Sequence, residues 1–180
     1  MKYAILLIST ILLYNVIDSS TLPKITSIQE LCEIRQVSYS MIKRQIFRES
    51  SYRPHVISHK GAVGLMQVLP STASDFCQYS ITIEMLKDKL FNVTIGIRYL
   101  LHLRGFYIYL GYDSSKAMQL AMCSYYEGPG ATISRHFKGK LCKATKKAYY
   151  RYYVFNKTPK PLTNLPKVKL NSYAKFIVGV

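Results

Sequence analysis

Glu49 stands at the end of an apolar-faced segment and just before a glycine-containing loop, in the stretch FRESSYRPHVISHKGAVGLMQVLPSTA, residues 47–73. Ile42 and Ile46 precede it by seven and three residues, so on a helix all three share one face and the carboxylate is directed toward apolar surroundings. Burial disfavours the charged form, and so does the partial negative charge of a helix C-terminus, so both push the pKa up. A carboxylic acid that stays protonated near neutral pH is what general-acid cleavage of a glycosidic bond requires, because the leaving oxygen must take a proton as the bond breaks. Periodicity alone also permits a plainer reading, a helix-end carboxylate paired with Arg44, Arg48 or Arg53. Other chemistries find little footing. His55 and His59 are four residues apart in a proline-flanked loop with no His-Glu-x-x-His pattern, and neither a phosphate-binding loop nor a serine–histidine triad stands out. No metal and no cofactor is expected.

The loop after Glu49 has two closely spaced glycines, Gly61 and Gly64, then Leu65, Met66 and Gln67, then Pro70 and Thr72 suited to opening another helix. Glu49-Ser50, Ser58, Gly61-Ala62, Gly64-Leu65-Met66-Gln67, Pro70 and Thr72-Ala73 closely resemble the signature of the soluble lytic transglycosylase (SLT) family. That signature runs Glu-Ser, a short spacer, Ser-x-x-Gly-Ala-x-Gly-Leu-Met-Gln, then Pro-x-Thr-Ala. The segment FNVTIGIRYLLHL resembles a further family helix through Asn92, Gly96, Tyr99 and Leu100, and AMCSYYEGPGA resembles the element Ala-Tyr-Asn-Ala-Gly-Pro-Gly. In that last element Tyr126 stands where the family has Asn, and Glu127 where it has Ala. The resemblance covers roughly residues 28–157. Asn92-Val93-Thr94 also spells a glycosylation acceptor, read here as accidental.

The resemblance implies an all-α, lysozyme-like domain that cleaves the glycan strands of peptidoglycan without water. Glu49 would protonate the oxygen linking N-acetylmuramic acid to N-acetylglucosamine, then take a proton from the muramic acid C6 hydroxyl, which closes a 1,6-anhydro ring. Tyr125 would bond the Glu49 carboxyl, Gln67 and the backbone near Met66 would hold a sugar N-acetyl group, and Ser58 would line the same wall. Tyr126 would replace the amide contact of Asn with stacking on a sugar ring, while Tyr99 is expected in the core. One carboxyl serving as acid and base differs from the two that a glycosidase normally uses. Glu127 therefore leaves two readings open. Turned inward it is a second carboxylate and permits hydrolysis; turned outward, the expected arrangement, it is a solvated charge. Asp75 is a weaker candidate. A hydrolytic muramidase and a non-enzymatic wall-binding or assembly module remain the alternatives.

The elements that must hold these groups fit within 180 residues, enough for one domain with a real core. Residues 4–17, AILLISTILLYNVI, are too short for a comfortable span of ~20 residues and read as a signal-peptide core within residues 1–20, although Asp18 makes a poor cleavage site and an uncleaved anchor is the other reading. Export to a periplasm or cell envelope permits two disulfides among Cys32, Cys77, Cys123 and Cys142; four buried thiols are the alternative. Ser27 and Glu30 match a capping box opening a catalytic domain over 27–157, with a bend expected around VSYS. The chain carries 25 basic and 9 acidic residues, net +16, and twelve Lys or Arg but no acid follow Glu127. Such a field attracts polyanions; with an export signal and no nucleic-acid motif, wall polymers or anionic lipid are the expected partners and nucleic acid is not. The proline-containing basic tail, 158–180, is expected to be extended or loosely packed and to tether the protein to the wall, to membrane or to a secretion-machine partner.

Overall fold

The computed structural model describes residues 25–155, 162, 165–168 and 170–178, apart from the side chains of 151–155 and 178. The proposed signal segment and its cleavage region lie outside the described residues. No helix among the described residues is long and apolar enough to cross a membrane.

Helices α1 (Ile28–Ile34) and α2 (Tyr39–Ser50) are separate, as the VSYS bend suggests. Ser27 caps α1 by accepting from the Glu30 N–H at 3.1 Å, while the Glu30 carboxylate reaches one residue further back than in a capping box and accepts from the Thr26 N–H at 2.9 Å. Ser38 caps α2 through the Met41 N–H. A loop leads to α3 (Pro70–Cys77), which opens on proline, whose missing N–H would go unused there. The short α4 (Ile83–Leu86) precedes α5 (Lys89–Tyr109), capped by Asp88, and α6 (Ser114–Glu127), capped by Asp113. Then come α7 (Pro129–His136), α8 (Gly139–Phe155) and α9 (Ser172–Val178). Among the described residues the fold is all-α; the loop between α2 and α3 contributes only isolated bridges, Ile57 to Val63 and Val63 to Val68.

Helix α5, about 30 Å long at 1.5 Å per residue, belongs to two cores. Its N-terminal half packs Val93, Ile95, Ile97 and Leu100 with Leu31, Ile42, Ile46 and Met66. Its C-terminal end carries Phe106, Tyr107 and Leu110 into a second cluster with Leu120, Ile133 and Phe137. The same helix is therefore buried nearly all round, which accounts for its lack of a clear polar face.

The tail differs from the sequence expectation. Leu162, Leu165 and Val168 pack against the second core, Tyr112 donates to Pro166 O at 3.0 Å, and Leu170 reaches the first core. Tyr173, Ala174 and Ile177 of α9 are fully buried between α2 and α6. Arg44 of α2 donates from Nε to Ile177 O at 2.6 Å, and Asn171 Oδ1 caps the helix at the Ala174 N–H. Proline and lysine content predicts an extended path but not where it ends; the apolar set Tyr173, Ala174, Ile177, at spacings of one and three, makes the last segment a helix with a burial face. The four cysteines are free thiols, Cys32 and Cys123 buried and the other two partly so, which is the alternative to the disulfide reading.

Candidate active site

Helix α2 ends just beyond Glu49. Ser51 and Tyr52 take left-handed backbone conformations, φ 51° and 63°, and turn the chain away. Ser50 pins this end to the loop by donating from Oγ to Leu65 O at 2.9 Å. Glu49 itself is partly buried and receives a 2.5 Å hydrogen bond at Oε1 from the Tyr173 hydroxyl; Oε2 has no hydrogen bond among the described residues. Burial pushes the carboxyl pKa up, against the opposing influence of the Tyr173 hydrogen bond and the Arg48 charge. Tyr173 and Tyr125 both have pKa values raised well above the ordinary phenol range, by burial first and then by the nearby Glu49 charge. Neutral phenols beside the acid can donate without competing for its proton.

Tyr125 has a different partner from the one expected. Its hydroxyl donates to Met66 O at 2.8 Å, so it faces Glu49 without bonding it, and the bond to the carboxyl comes from Tyr173, a residue that sequence alone leaves in the tail. The signal was present as an aromatic on the apolar face of a short helix-compatible segment, yet only tertiary packing brings it 124 positions back along the chain to Glu49.

The loop wall is built on Asn92. This fully buried amide accepts from the Met66 N–H at 2.8 Å and donates to Val63 O and Leu86 O, both at 2.8 Å. Both of its N–H groups and its oxygen are engaged by the protein, and its full burial keeps a glycan from it. Gly64 has φ +79° and touches the same amide so closely that a Cβ would overlap the Asn92 side chain and Leu86 O. Gly96 similarly leaves room for the Met66 side chain, since a Cβ there would lie 2.6 Å from its sulfur. Met66 is thus a buried anchor whose N–H donates to Asn92 and whose C=O accepts from Tyr125. Gln67 lies in a left-handed conformation, φ 49°, and its amide donates to Val56 O and Gly64 O, so its nitrogen braces the loop. The Ser58 hydroxyl accepts from the Ala62 N–H at 3.0 Å and closes the loop tip.

A cleft of about 280 Å³ runs along this wall, lined by Gln67, Leu69, Tyr99, Tyr125, Tyr126 and Glu127 among others. Tyr99, expected in the core, packs there against Tyr125, with ring centroids 5.3 Å apart, and also reaches the cleft. Glu49 is not among the residues lining this cleft; the cleft residue Tyr126 stacks on Tyr173, which bonds Glu49. Tyr126, more than half exposed, stacks on the Tyr173 ring with centroids 4.5 Å apart and 12° between planes, so one of its faces is already occupied by protein. Glu127 departs from the solvated arrangement expected of it. Its side chain is only 11% exposed, accepts from Thr132 Oγ1 at 3.0 Å and pairs with Arg135, whose guanidinium reaches back from α7. Asp75 lies exposed on α3, outside the cleft lining.

A family model described as the transglycosylase SLT domain matches residues 26–148. The membrane-bound lytic murein transglycosylase C of Actinobacillus succinogenes is 34% identical over 107 residues, which cover 56% of this chain and 30% of that protein. Its counterpart from Klebsiella pneumoniae is 29% identical over 114 residues, covering 60% and 31%. This chain therefore spans about a third of the length of these relatives. Among solved structures, the 70 kDa soluble lytic transglycosylase of Escherichia coli aligns with a TM-score of 0.47 at 22% identity, over 77% of this chain and 26% of that one. The matched segment takes in Glu49, the Asn92-braced loop and the cleft, and by it this chain belongs to the transglycosylase SLT domain family.

Proposed function

We propose that this protein is a peptidoglycan lytic transglycosylase that cleaves between N-acetylmuramic acid and N-acetylglucosamine and leaves a 1,6-anhydro ring. The observation that carries the reading is Glu49, a partly buried carboxyl of raised pKa whose Oε1 is held by a neutral phenol and whose Oε2 has no protein partner among the described residues. Protonated Glu49 gives its proton to the glycosidic oxygen as the C1–O bond breaks. The resulting carboxylate then takes the proton of the muramic acid C6 hydroxyl, and that oxygen forms the new bond to C1. The starting protonation state is restored and no water is consumed. Tyr173 keeps its hydrogen bond to Oε1 throughout and steadies the carboxylate between the two transfers.

The engagement of Glu127 favours this route over hydrolysis. A base that activates water must be free to accept its proton, whereas Glu127 already takes one hydrogen bond from Thr132 and is paired with Arg135. Purified peptidoglycan digested by the protein and weighed by mass spectrometry tests the reading: anhydro-muramic ends are expected, and Glu49→Gln should abolish them. Reducing ends would instead mean a muramidase, and no cleavage a binding module.

An envelope location follows from that substrate and agrees with the membrane-bound relatives. Lys138, Lys140, Lys143, Lys146 and Lys147 are all exposed around the start of α8, and their field suits attachment to anionic wall or to an envelope-machine partner. Binding to intact walls should weaken as added salt screens these charges, within roughly 8 Å at physiological ionic strength.

A further inference from the structure

Tyr126 stands where the family signature carries Asn, and neither proton transfer needs it. Its neighbours on both sides are tied down. The Tyr125 hydroxyl donates to Met66 O at 2.8 Å, while Glu127 accepts from Thr132 and pairs with Arg135. The end of α6 is thereby fixed to the loop wall and to α7, and the Tyr126 ring stands on a backbone held at either flank. One face of that ring lies against Tyr173, with centroids 4.5 Å apart and 12° between planes, a near-parallel stack at a spacing that aromatic pairs favour. Tyr173 is 1% exposed and Tyr126 58%, so Tyr126 stands between the Tyr173 ring and solvent on this side. At its far end the Tyr173 ring carries the hydroxyl that bonds Glu49 Oε1 at 2.5 Å. Cleft and acid are thus joined through two stacked rings, one from α6 and one from α9.

We propose that Tyr126 is a positioning residue for the reaction: its ring holds the Tyr173 ring at the angle that brings the Tyr173 hydroxyl to Glu49 Oε1. A tyrosine turns about its side-chain torsions, and a small swing near the backbone is magnified at the hydroxyl end. Lengthening the 2.5 Å contact by about 1 Å ends it as a hydrogen bond. Packing between α2 and α6 blocks a swing of Tyr173 toward the core, and the Tyr126 ring blocks one toward the cleft. The ring is what matters here, since the Tyr126 hydroxyl makes no hydrogen bond among the described residues. Tyr125 does not replace it, being packed on Tyr99 and bonded to Met66 O. An asparagine has no aromatic face to stack, so in this chain an amide has given way to a brace. Tyr126 also lines the cleft, which makes direct contact with glycan the rival reading.

The inference rests on Glu49 as the catalytic acid, and its test separates the two. Tyr126→Ala removes the stack at a largely exposed position, so the variant should fold; Tyr126→Leu, which also lacks a planar face, serves should it melt early. The kcat of either should fall about two- to tenfold, the rate equivalent of one aromatic pair, with KM unchanged. Tyr126→Phe keeps the ring and should recover most of that loss. In a Tyr173→Phe background the stack remains but no hydroxyl is left to aim, so Tyr126→Ala should cost no further kcat. A side chain that contacts glycan directly would instead raise KM, and by the same factor with or without the Tyr173 hydroxyl. Without substrate, the 13Cζ signal of Tyr173, identified by its loss in Tyr173→Phe, should move toward that of an exposed tyrosine in Tyr126→Ala and stay near the parent position in Tyr126→Phe. An unmoved Tyr173 signal in Tyr126→Ala, or an equal kcat loss with and without the Tyr173 hydroxyl, would overturn the proposal. Cleavage that survives Glu49→Gln would defeat the catalytic reading instead, while the substrate-free signal would still decide whether Tyr126 holds Tyr173.

Discussion

Glu49 and Glu127 are both carboxylates at helix C-terminal ends, the first next to last in α2 and the second last in α6, and the structure sets them in opposite environments. Glu49 meets a phenol and apolar side chains, and the charge that acts on it most is Arg48 on its own helix. Glu127 meets a guanidinium and a hydroxyl, both delivered by α7, which starts only two residues later at Pro129. Desolvation without a tight counter-charge favours the protonated form of the first, whereas the oxygens of the second are occupied by its ion pair and hydrogen bond. Two residues of one chemistry thus meet different neighbours: under the proposed mechanism Glu49 gives and retakes a proton, while the contacts of Glu127 tie α6 to α7 at the edge of the cleft.

The largest expected effect breaks this comparison outright. Glu49→Gln retains the shape and loses the transferable proton, so cleavage of purified peptidoglycan should fall by at least the ~10²–10⁴-fold associated with general acid–base catalysis. Glu127→Ala should leave the rate within several-fold of the parent and the products still anhydro. Equal losses in the two variants, measured side by side, would make both carboxylates part of the chemistry.

Tyr173 comes next. Tyr173→Phe removes one hydrogen bond to a carboxylate, a contact worth about 1.5–3 kcal/mol, so cleavage should drop about ten- to hundredfold while the fold persists. Removing the whole chain after Asn156 is more damaging to stability. It strips Tyr173 and Ile177 from the core, at about 1.5–3 kcal/mol for each large apolar side chain, out of a total stability of about 5–15 kcal/mol. The truncated chain should therefore lose its thermal transition or melt far below the parent, in contrast with the sequence expectation of a loosely packed tail. A truncated protein that keeps parental melting and activity would show that α9 is dispensable to the site.

How much of this was readable from the chain depends on the range of the interaction. Glu49 was legible because its helix face and its helix end are local properties, fixed by spacing to Ile42 and Ile46, and because the loop that follows has a distinctive glycine pattern. The α1–α2 break and the Ser27 cap were legible for the same reason. Three longer-range features were not. Tyr125 was assigned to Glu49 by the family resemblance, and a phenol suits the role, but the chain has 16 tyrosines and nothing local to Tyr173 marks it as the one that bonds the carboxyl. The Glu127 pairing needs the turn at Gly128, φ 85°, to bring Arg135 back across eight positions. The loop's dependence on Asn92 joins segments 26 to 29 positions apart, and the amide shows its purpose only once Met66 and Val63 are seen around it.

The smallest effect is on stability, and here the two carboxylates should differ in sign. Glu49 binds its proton more tightly folded than unfolded, its pKa being raised from an ordinary 4.5. Below that ordinary value both states are protonated and the parent keeps its full stability. As pH rises through the raised value, the unfolded chain has already released the proton that the folded chain still holds, so the parent loses stability; above it the loss is complete and constant. Glu49→Gln does not titrate. Its melting temperature relative to the parent should therefore climb between acid and neutral pH and level off, with Gln the more stable at pH 8. His102, pushed down to about 4 by burial, weakens the fold as pH falls from the ordinary imidazole range toward that value, but equally in parent and variant, so it cancels in the difference. Glu127→Gln takes the counter-charge from Arg135, whose side chain is 43% exposed, and should lower the neutral-pH melting temperature slightly, because solvent around the guanidinium screens the pair toward the surface value of about 0–1 kcal/mol. At about 2–4 °C per kcal/mol for a chain of this size, calorimetry over a pH series resolves both signs. A Glu49→Gln variant that is less stable than the parent at neutral pH would mean that the folded protein favours the Glu49 carboxylate, and the assignment of Glu49 as a held proton would fall with it.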